Sequence, residues 1–173
     1  MPRTILREQL NIVPQDPVIF PGSVRLNADP SSSAKDDETD AAIIAALATV
    51  TLWSVISSRG GLDADMSDIP LSQGQKQLFC LARAILRSKS SSILVLDEAT
   101  SNVDRHTDEL MQRVIREEWK GKTIIAVVHK LDTVLDFDRV AVLERGSLVE
   151  FDVPSVLLEK EGGAFKALWD SQR

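Results

Sequence analysis

Residues 93–104 read ILVLDEATSNVD, and they set two adjacent carboxylates at the end of an apolar strand-forming run. Ile93, Leu94, Val95 and Leu96 form the run, and Asp97 and Glu98 follow it directly. Neighbouring side chains on a strand point to opposite faces. Asp97 can therefore approach a metal ion, often through water, while Glu98 addresses an attacking water. That division of labour suits phosphoryl transfer, which needs positioning and charge neutralisation more than covalent chemistry. A strand that merely ends in acids and caps the next segment is the bland alternative.

Two flanking elements bear on the choice. Upstream, LSQGQ at 71–75 opens a helix, with Ser72 and Gln75 in the S-x-x-Q arrangement of a capping box. Ser72, Gln73 and Gly74 would present backbone N–H groups at a positive helix end, which favours anions. Gly74 has no Cβ to hold a phosphate away. Downstream, the β-rich, apolar run TIIAVV at 123–128 reads as a buried strand ending in His129. A histidine there could contact a phosphate in its neutral or cationic form, or serve as an ordinary hydrogen-bonded side chain. Gln15 follows a short strand at 10–13 that Pro14 stops. Read alone it is a loop residue. His106 falls in a helical first turn and reads as surface.

The elements needed to hold these groups alternate. Strands are expected at 10–13, 93–96, 123–128, 140–143 and 148–151, the last two flanking a hairpin turn at 144–147. Helices are expected from a cap at Asp40 through Leu47, over 52–56, from Ser72 to about Ser88, and from a cap at Asp104 to Trp119. A last helical region opens at Pro154, breaks at Gly162 and Gly163, and resumes over 165–169. Segments 14–22, 31–40 and 59–70 read as loops. This is an α/β pattern with a largely parallel sheet. Such sheets gather active groups at the carboxyl ends of their strands. Gln15, Asp97, Glu98 and His129 are expected to converge there, as four polar residues at four strand tips.

Composition narrows the function classes. The chain has 173 residues, 43% hydrophobic and 27% charged, as expected for one globular domain. A net charge of −6 gives no footprint for nucleic acid and would be repelled by anionic lipid. Cys80 is the single cysteine, so no intrachain disulfide forms, which fits a reducing compartment; within its helix it reads as a small buried hydrophobe. The longest apolar stretch, 41–55, is broken by Thr49, Thr51 and Ser54 and is too short for the ~20 residues of a membrane span. Direct membrane insertion and nucleic-acid binding are not expected.

Taken together, LSQGQKQLFCLARAIL, the acid strand and the strand-end histidine resemble the nucleotide-binding domain of ABC transporters, over nearly the whole chain from Arg3 onward. VPQDPVIFPGSVRLNADP and KLDTVLDFDRVAVLERGSLVEFD look like the second cassette of subfamily C, the multidrug-resistance-associated exporters. The resemblance implies the P-loop NTPase-like fold of an ABC ATPase cassette, with ATP and Mg²⁺ as cofactors. It implies a helical signature subdomain at about residues 27–90, with 1–26 and 91–173 as catalytic core. Glu98 and His129 become the catalytic residues and Asp97 and Gln15 the metal-binding ones. Gln15, Ser72, Gln73, Gly74, Gln75 and Asp104 become nucleotide-binding. Partners would be a second cassette in a head-to-tail ATP sandwich and the transmembrane domains of a parent transporter, at the cytoplasmic face of a membrane.

Two substitutions stand out against the family pattern. Gln73 replaces a usual glycine, and Lys130 a usual arginine. A larger departure lies at the front. No G-x-x-x-x-G-K-[ST] phosphate loop and no tyrosine occur in the chain, and only fourteen residues precede Gln15. The expectation is an incomplete cassette, inactive or weakly active alone, with apolar surface and strand edge left open. A soluble ABC ATPase and a non-catalytic cassette remnant are the competing readings.

Overall fold

A computed structural model describes residues 3–31 and 36–172. They form two compact units, Met1–Val127 and Val128–Arg173.

The first unit opens with helix α1 (Arg3–Gln9), which the sequence reading did not anticipate, and strand β1 (Leu10–Val13). Pro14 then withholds a backbone donor and ends the strand. Helix α2 (Val24–Ala28) follows, capped by the Ser23 hydroxyl. Next come α3 (Asp37–Thr49) and α4 (Trp53–Ser57), then two short 3-10 turns, Gly61–Asp63 and Met66–Asp68.

The expected cap of α3 at Asp40 is wrong. The Asp36 carboxylate caps this helix, accepting from Thr39 N at 2.7 Å, and Asp40 lies in the first turn. Asp40 instead pairs with Arg25 of α2. Both are acids ahead of an apolar run, and only the tertiary partner separates them.

Helix α5 (Gln73–Ser88) starts where expected. Ser72 Oγ accepts from Gln75 N, and the Gln75 side chain accepts from Ser72 N at 2.9 Å, completing the capping box. Strand β2 (Ile93–Asp97), helix α6 (Arg105–Glu118) and strand β3 (Thr123–Val127) complete the unit. α6 is capped by Asp104, as expected.

The three strands form a parallel sheet in the order β1-β2-β3. Asn11, Leu94 and Ile124 share one rung, and Val13, Leu96 and Ala126 the next but one. These residues face the core built by α3, α5 and α6, where Phe79, Leu81, Met111 and Trp119 are fully buried. The alternate rung, Ile12–Val95–Ile125, faces the other way. Ile12 is 57% exposed, Ile125 51% and Val127 50%. β3 is therefore not the buried strand expected from TIIAVV. Parallel sheets normally carry cover on both faces, and among the described residues this unit covers one.

The second unit holds a 3-10 segment (Leu131–Asp136), strands β4 (Val140–Glu144) and β5 (Ser147–Asp152), and helices α7 (Pro154–Glu159) and α8 (Ala164–Ser171). β4 and β5 make the expected antiparallel hairpin. Its turn residues Arg145 and Gly146 both have positive φ, 51° and 80°, which suits a two-residue turn matching the strand twist. Val134, Val142, Leu157 and Phe165 form a small core. Buried Glu150 accepts from Phe165 N at 2.9 Å and from Lys160 Nζ at 2.9 Å.

Carboxylates hold several of these joints, which sets an acid limit. Bonds from Thr39 hold the Asp36 carboxyl below its ordinary value, and bonds from Thr107 do the same for Asp104. For Glu150 the Lys160 bond is the largest cause and the Phe165 N–H the next. A carboxylate lowered on folding stabilises the fold above its unfolded pKa, 3.8 for Asp and 4.5 for Glu. The contribution is lost as pH falls through the lower folded value. The melting temperature should therefore drop as pH goes below about 4.5 and keep dropping below about 3.8. Asp104→Asn should flatten the lower part of that decline. An unchanged profile in the variant would contradict the assignment.

Candidate functional site

At the carboxyl end of the sheet, β1 and β2 are direct neighbours, with Val13 opposite Leu96. The residues just beyond them meet. Gln15 Nε2 donates to Glu98 Oε2 at 2.7 Å across 83 residues of sequence. The Gln15 carboxamide oxygen is then left to accept or to ligate a metal. Asp97, the last residue of β2, is exposed. By alternation it lies on the open face of the sheet with Ile93 and Val95.

Glu98 departs from the strand conformation. Its φ is 47°, in the left-handed region that a side chain with a Cβ rarely adopts. Its N–H still donates to Val127 O at 3.0 Å, so the ladder holds the backbone while the chain turns. Stored strain of this kind gathers at functional positions. Glu98→Gly should relieve it and raise stability by up to about 1 kcal/mol, visible as a higher melting temperature, while removing the carboxylate. A lower melting temperature would show that Glu98 is held there by contacts worth more than the strain.

The start of α5 forms a second cluster. Ser72 and Gln73 are exposed, Gln75 is half-buried, and Gly74 is buried. A Cβ at Gly74 would stand 3.2 Å from Thr107 Oγ1, 3.3 Å from Thr107 Cγ2 and 3.6 Å from Asp104 Oδ2. A side chain here would crowd the α6 cap by a few tenths of an ångström. Asp104 accepts from Thr107 N at 3.0 Å and Thr107 Oγ1 at 2.7 Å, so Thr107 is fixed. Thus the start of α5 and Asp104 come together.

His129 belongs to the second unit. It is exposed, and its carbonyl accepts from Gln172 Nε2 at 2.9 Å. The four named residues belong to the ends of three strands, not four, since Asp97 is the last residue of β2 and Glu98 the first beyond it.

Three residues that sequence reasoning passed over hold the Gln15 loop. Gln77, on α5, donates from Nε2 to Gln15 O at 2.6 Å and Pro14 O at 3.0 Å. Arg83 donates from Nε to Asn27 O at 2.7 Å, and both its terminal nitrogens reach Val18 O at 3.1 Å. Its guanidinium lies over Phe20 and Phe79, 5.5 and 5.8 Å from the ring centroids. Burial lowers the Arg83 pKa from its ordinary value. Buried Asn27 closes the loop on itself, with Phe20 N donating to its Oδ1 at 2.7 Å and its Nδ2 donating to Phe20 O at 2.9 Å. A signal existed for Gln77. It shares a helical stripe with Cys80, Leu81 and Ala84, where a polar residue must answer to a partner.

The donor set fits Mg²⁺, which takes one or two carboxylates and fills its shell with water and phosphate oxygens. Asp97 and the Gln15 amide oxygen are hard oxygen donors. Among the described residues no group of three or more His, Cys, Asp or Glu could hold a metal unaided. No helix among them is long and apolar enough to cross a membrane.

Residues 1–101 match the family described as ABC transporter. The chain is 52% identical over 171 residues to "ABC multidrug transporter B" of Aspergillus fumigatus, covering 99% of this chain and 11% of that protein. It is 45% identical over 161 residues to "ABC transporter C family member 3" of Dictyostelium discoideum, covering 91% of this chain and 11% of that protein. The structure of a bacterial Atm1-family ABC exporter with ATP bound superposes with a TM-score of 0.83 at 29% identity, over 98% of this chain and 29% of that one. The chain thus spans about a ninth of the length of the curated relatives it matches. The strand-end acid pair, the capped LSQGQ helix and these likenesses agree: the chain belongs to the ABC transporter family, as a nucleotide-binding domain with the mixed α/β fold of an ABC ATPase.

Proposed function

We propose that this chain is the ATP-hydrolysing cassette of an ABC exporter of the subfamily C kind, most like its second cassette. The observation that carries the reading is the Gln15–Glu98 hydrogen bond at the ends of adjacent strands. Glu98 orients and deprotonates the attacking water. Gln15 holds the Glu98 carboxylate in place and offers its amide oxygen to the metal. Asp97 would hold Mg²⁺, which would supply charge neutralisation on the phosphates. His129 contacts the terminal phosphate. Ser72, Gln73, Gly74 and Gln75, with Asp104, close over ATP held by a second cassette. Residues of about 27–90 form the helical subdomain, since among the described residues the strands lie outside them, and 1–26 with 91–173 form the core. The assembled transporter lies at a membrane, with the cassette on its cytoplasmic side.

A second reading is a cassette that binds its partner without turning over ATP itself. It is favoured by the lack of any G-x-x-x-x-G-K-[ST] loop, whose backbone donors and lysine would grip the phosphates. Both readings make this chain, taken alone, a weak nucleotide binder.

The test has two arms. The chain is purified alone, and it also replaces the matching segment of the Aspergillus fumigatus relative. The first reading expects negligible steady turnover from the chain and substrate-stimulated turnover from the hybrid. An inactive hybrid that still assembles would favour the second. Micromolar ATP affinity with steady turnover by the chain alone would refute the expectation of weak nucleotide binding.

A further inference from the structure

The geometry points to Gln77 as the positioning residue that sets the Gln15–Glu98 pair. This rests on the proposal that Glu98 activates water. Gln77 is 2% exposed, on the core-facing stripe of α5. A helix selected for packing alone would carry leucine or methionine there. Both hydrogens of its carboxamide are spent on backbone carbonyls, those of Pro14 and Gln15. Its Oε1 is buried without a hydrogen-bond partner. A buried amide satisfied on one side only is a net burden on the fold. What it holds is the backbone that launches the Gln15 side chain, whose Nε2 ends on Glu98 at 2.7 Å.

Proline gives the arrangement its logic. Pro14 has no N–H, so the β-ladder cannot continue to fix the chain past Val13. The carbonyls of residues 14 and 15 need another donor, and Gln77 supplies two N–H groups. Farther along, Arg83 of the same helix grips Val18 O. The segment from Pro14 to Val18 is therefore held by α5 at both ends, independently of the sheet. α5 begins at Gln73, one turn before Gln77. Movement of the helix start is passed through Gln77 to the loop, and so to the Glu98 carboxylate just beyond β2.

Gln77→Met keeps the length and fills the same space but has no donor. In the hybrid transporter it should lower kcat by about 10- to 100-fold, the scale of a small misplacement of a reacting group, and leave KM within about twofold. In the chain alone, amide exchange should rise for the backbone of residues 15–20, while α5 and β2 stay protected. The melting temperature should change little, because loss of the unsatisfied oxygen offsets loss of the donor to the Pro14 and Gln15 carbonyls. A purely structural Gln77 would give the opposite, a lower melting temperature with unchanged kcat. Unchanged kcat with unchanged exchange would overturn the inference.

Should Gln77→Met not fold, the unsubstituted chain decides. The Gln77 side-chain NH₂ should be protected from solvent exchange and show cross-relaxation to Gln15. A freely exchanging NH₂ overturns the inference. Glu98→Gln is run in parallel. If that variant retains turnover, the hydrolytic reading fails, while the exchange arm still judges whether Gln77 holds the loop.

Discussion

Glu98→Gln should leave ATP binding to the assembled transporter intact and lower hydrolysis by about 10²- to 10⁴-fold, the usual contribution of a positioned base. The amide keeps the size of the carboxylate but accepts no proton and carries no charge. The contact with Gln15 tests this further. Gln15 Nε2 donates to Glu98 Oε2, and an amide at 98 can still accept that bond through its oxygen. The loop should therefore keep its place, and the loss should fall on kcat. Asp97→Asn should behave differently, shifting the Mg²⁺ requirement upward, because it weakens a metal ligand and leaves the base. Equal hydrolysis by Glu98→Gln and the parent would remove Glu98 as the base.

Gly74→Asp should both destabilise the chain and abolish ATP-dependent association of two cassettes. From sequence alone an acid in the first turn of a helix looks harmless, since it suits the helix dipole. The packing changes that expectation. The new Cβ would stand 3.2 Å from Thr107 Oγ1, with a carboxylate brought beside Asp104. The Thr107 side chain cannot turn away without losing its Oγ1 bond to the Asp104 carboxylate. Gly74→Ala isolates the steric part and should cost roughly 1–3 kcal/mol, the range for overpacking. Thr107→Ala removes both atoms that the Cβ strikes. The double variant should thus be more stable than the sum of the singles by about 0.5–3 kcal/mol. Additive effects would show that Gly74 is not packed on Thr107. Intact fold and intact cassette association in Gly74→Asp would remove residues 72–75 from the functional set.

Much of this was legible in the sequence because local rules sufficed. Ser72 and Gln75 spell a reciprocal cap, and the structure closes it. Arg145 and Gly146 sit between two apolar-rich runs, and the hairpin follows. Ile93 to Leu96 reads as a strand on composition, and the acids after it fall at the strand end. Where tertiary context decides, sequence reading failed. Asp36 and Asp40 are equivalent as caps until Arg25 claims one of them. TIIAVV has the composition of a fully covered strand, yet Ile125 and Val127 lie on the open face. Composition records what a strand can bury and is silent on what covers it. The positive φ of Glu98 has no residue-level signature, since glutamate is not a turn residue. Gln77 was the readable miss, a polar residue within an apolar helical stripe. The contact between Gly74 and Thr107 pairs two helices, so the glycine alone suggested phosphate approach and concealed the packing.

The most direct measurement is the position of the ATP γ-phosphate in the hybrid transporter carrying Glu98→Gln, determined by electron microscopy with ATP and Mg²⁺. Residue 98 should lie within reach of that phosphate through one water, with Asp97 on the Mg²⁺ side, and Ser72 and Gly74 should face the nucleotide of the other cassette. Nucleotide bound with residue 98 out of water-mediated reach of the γ-phosphate would contradict it.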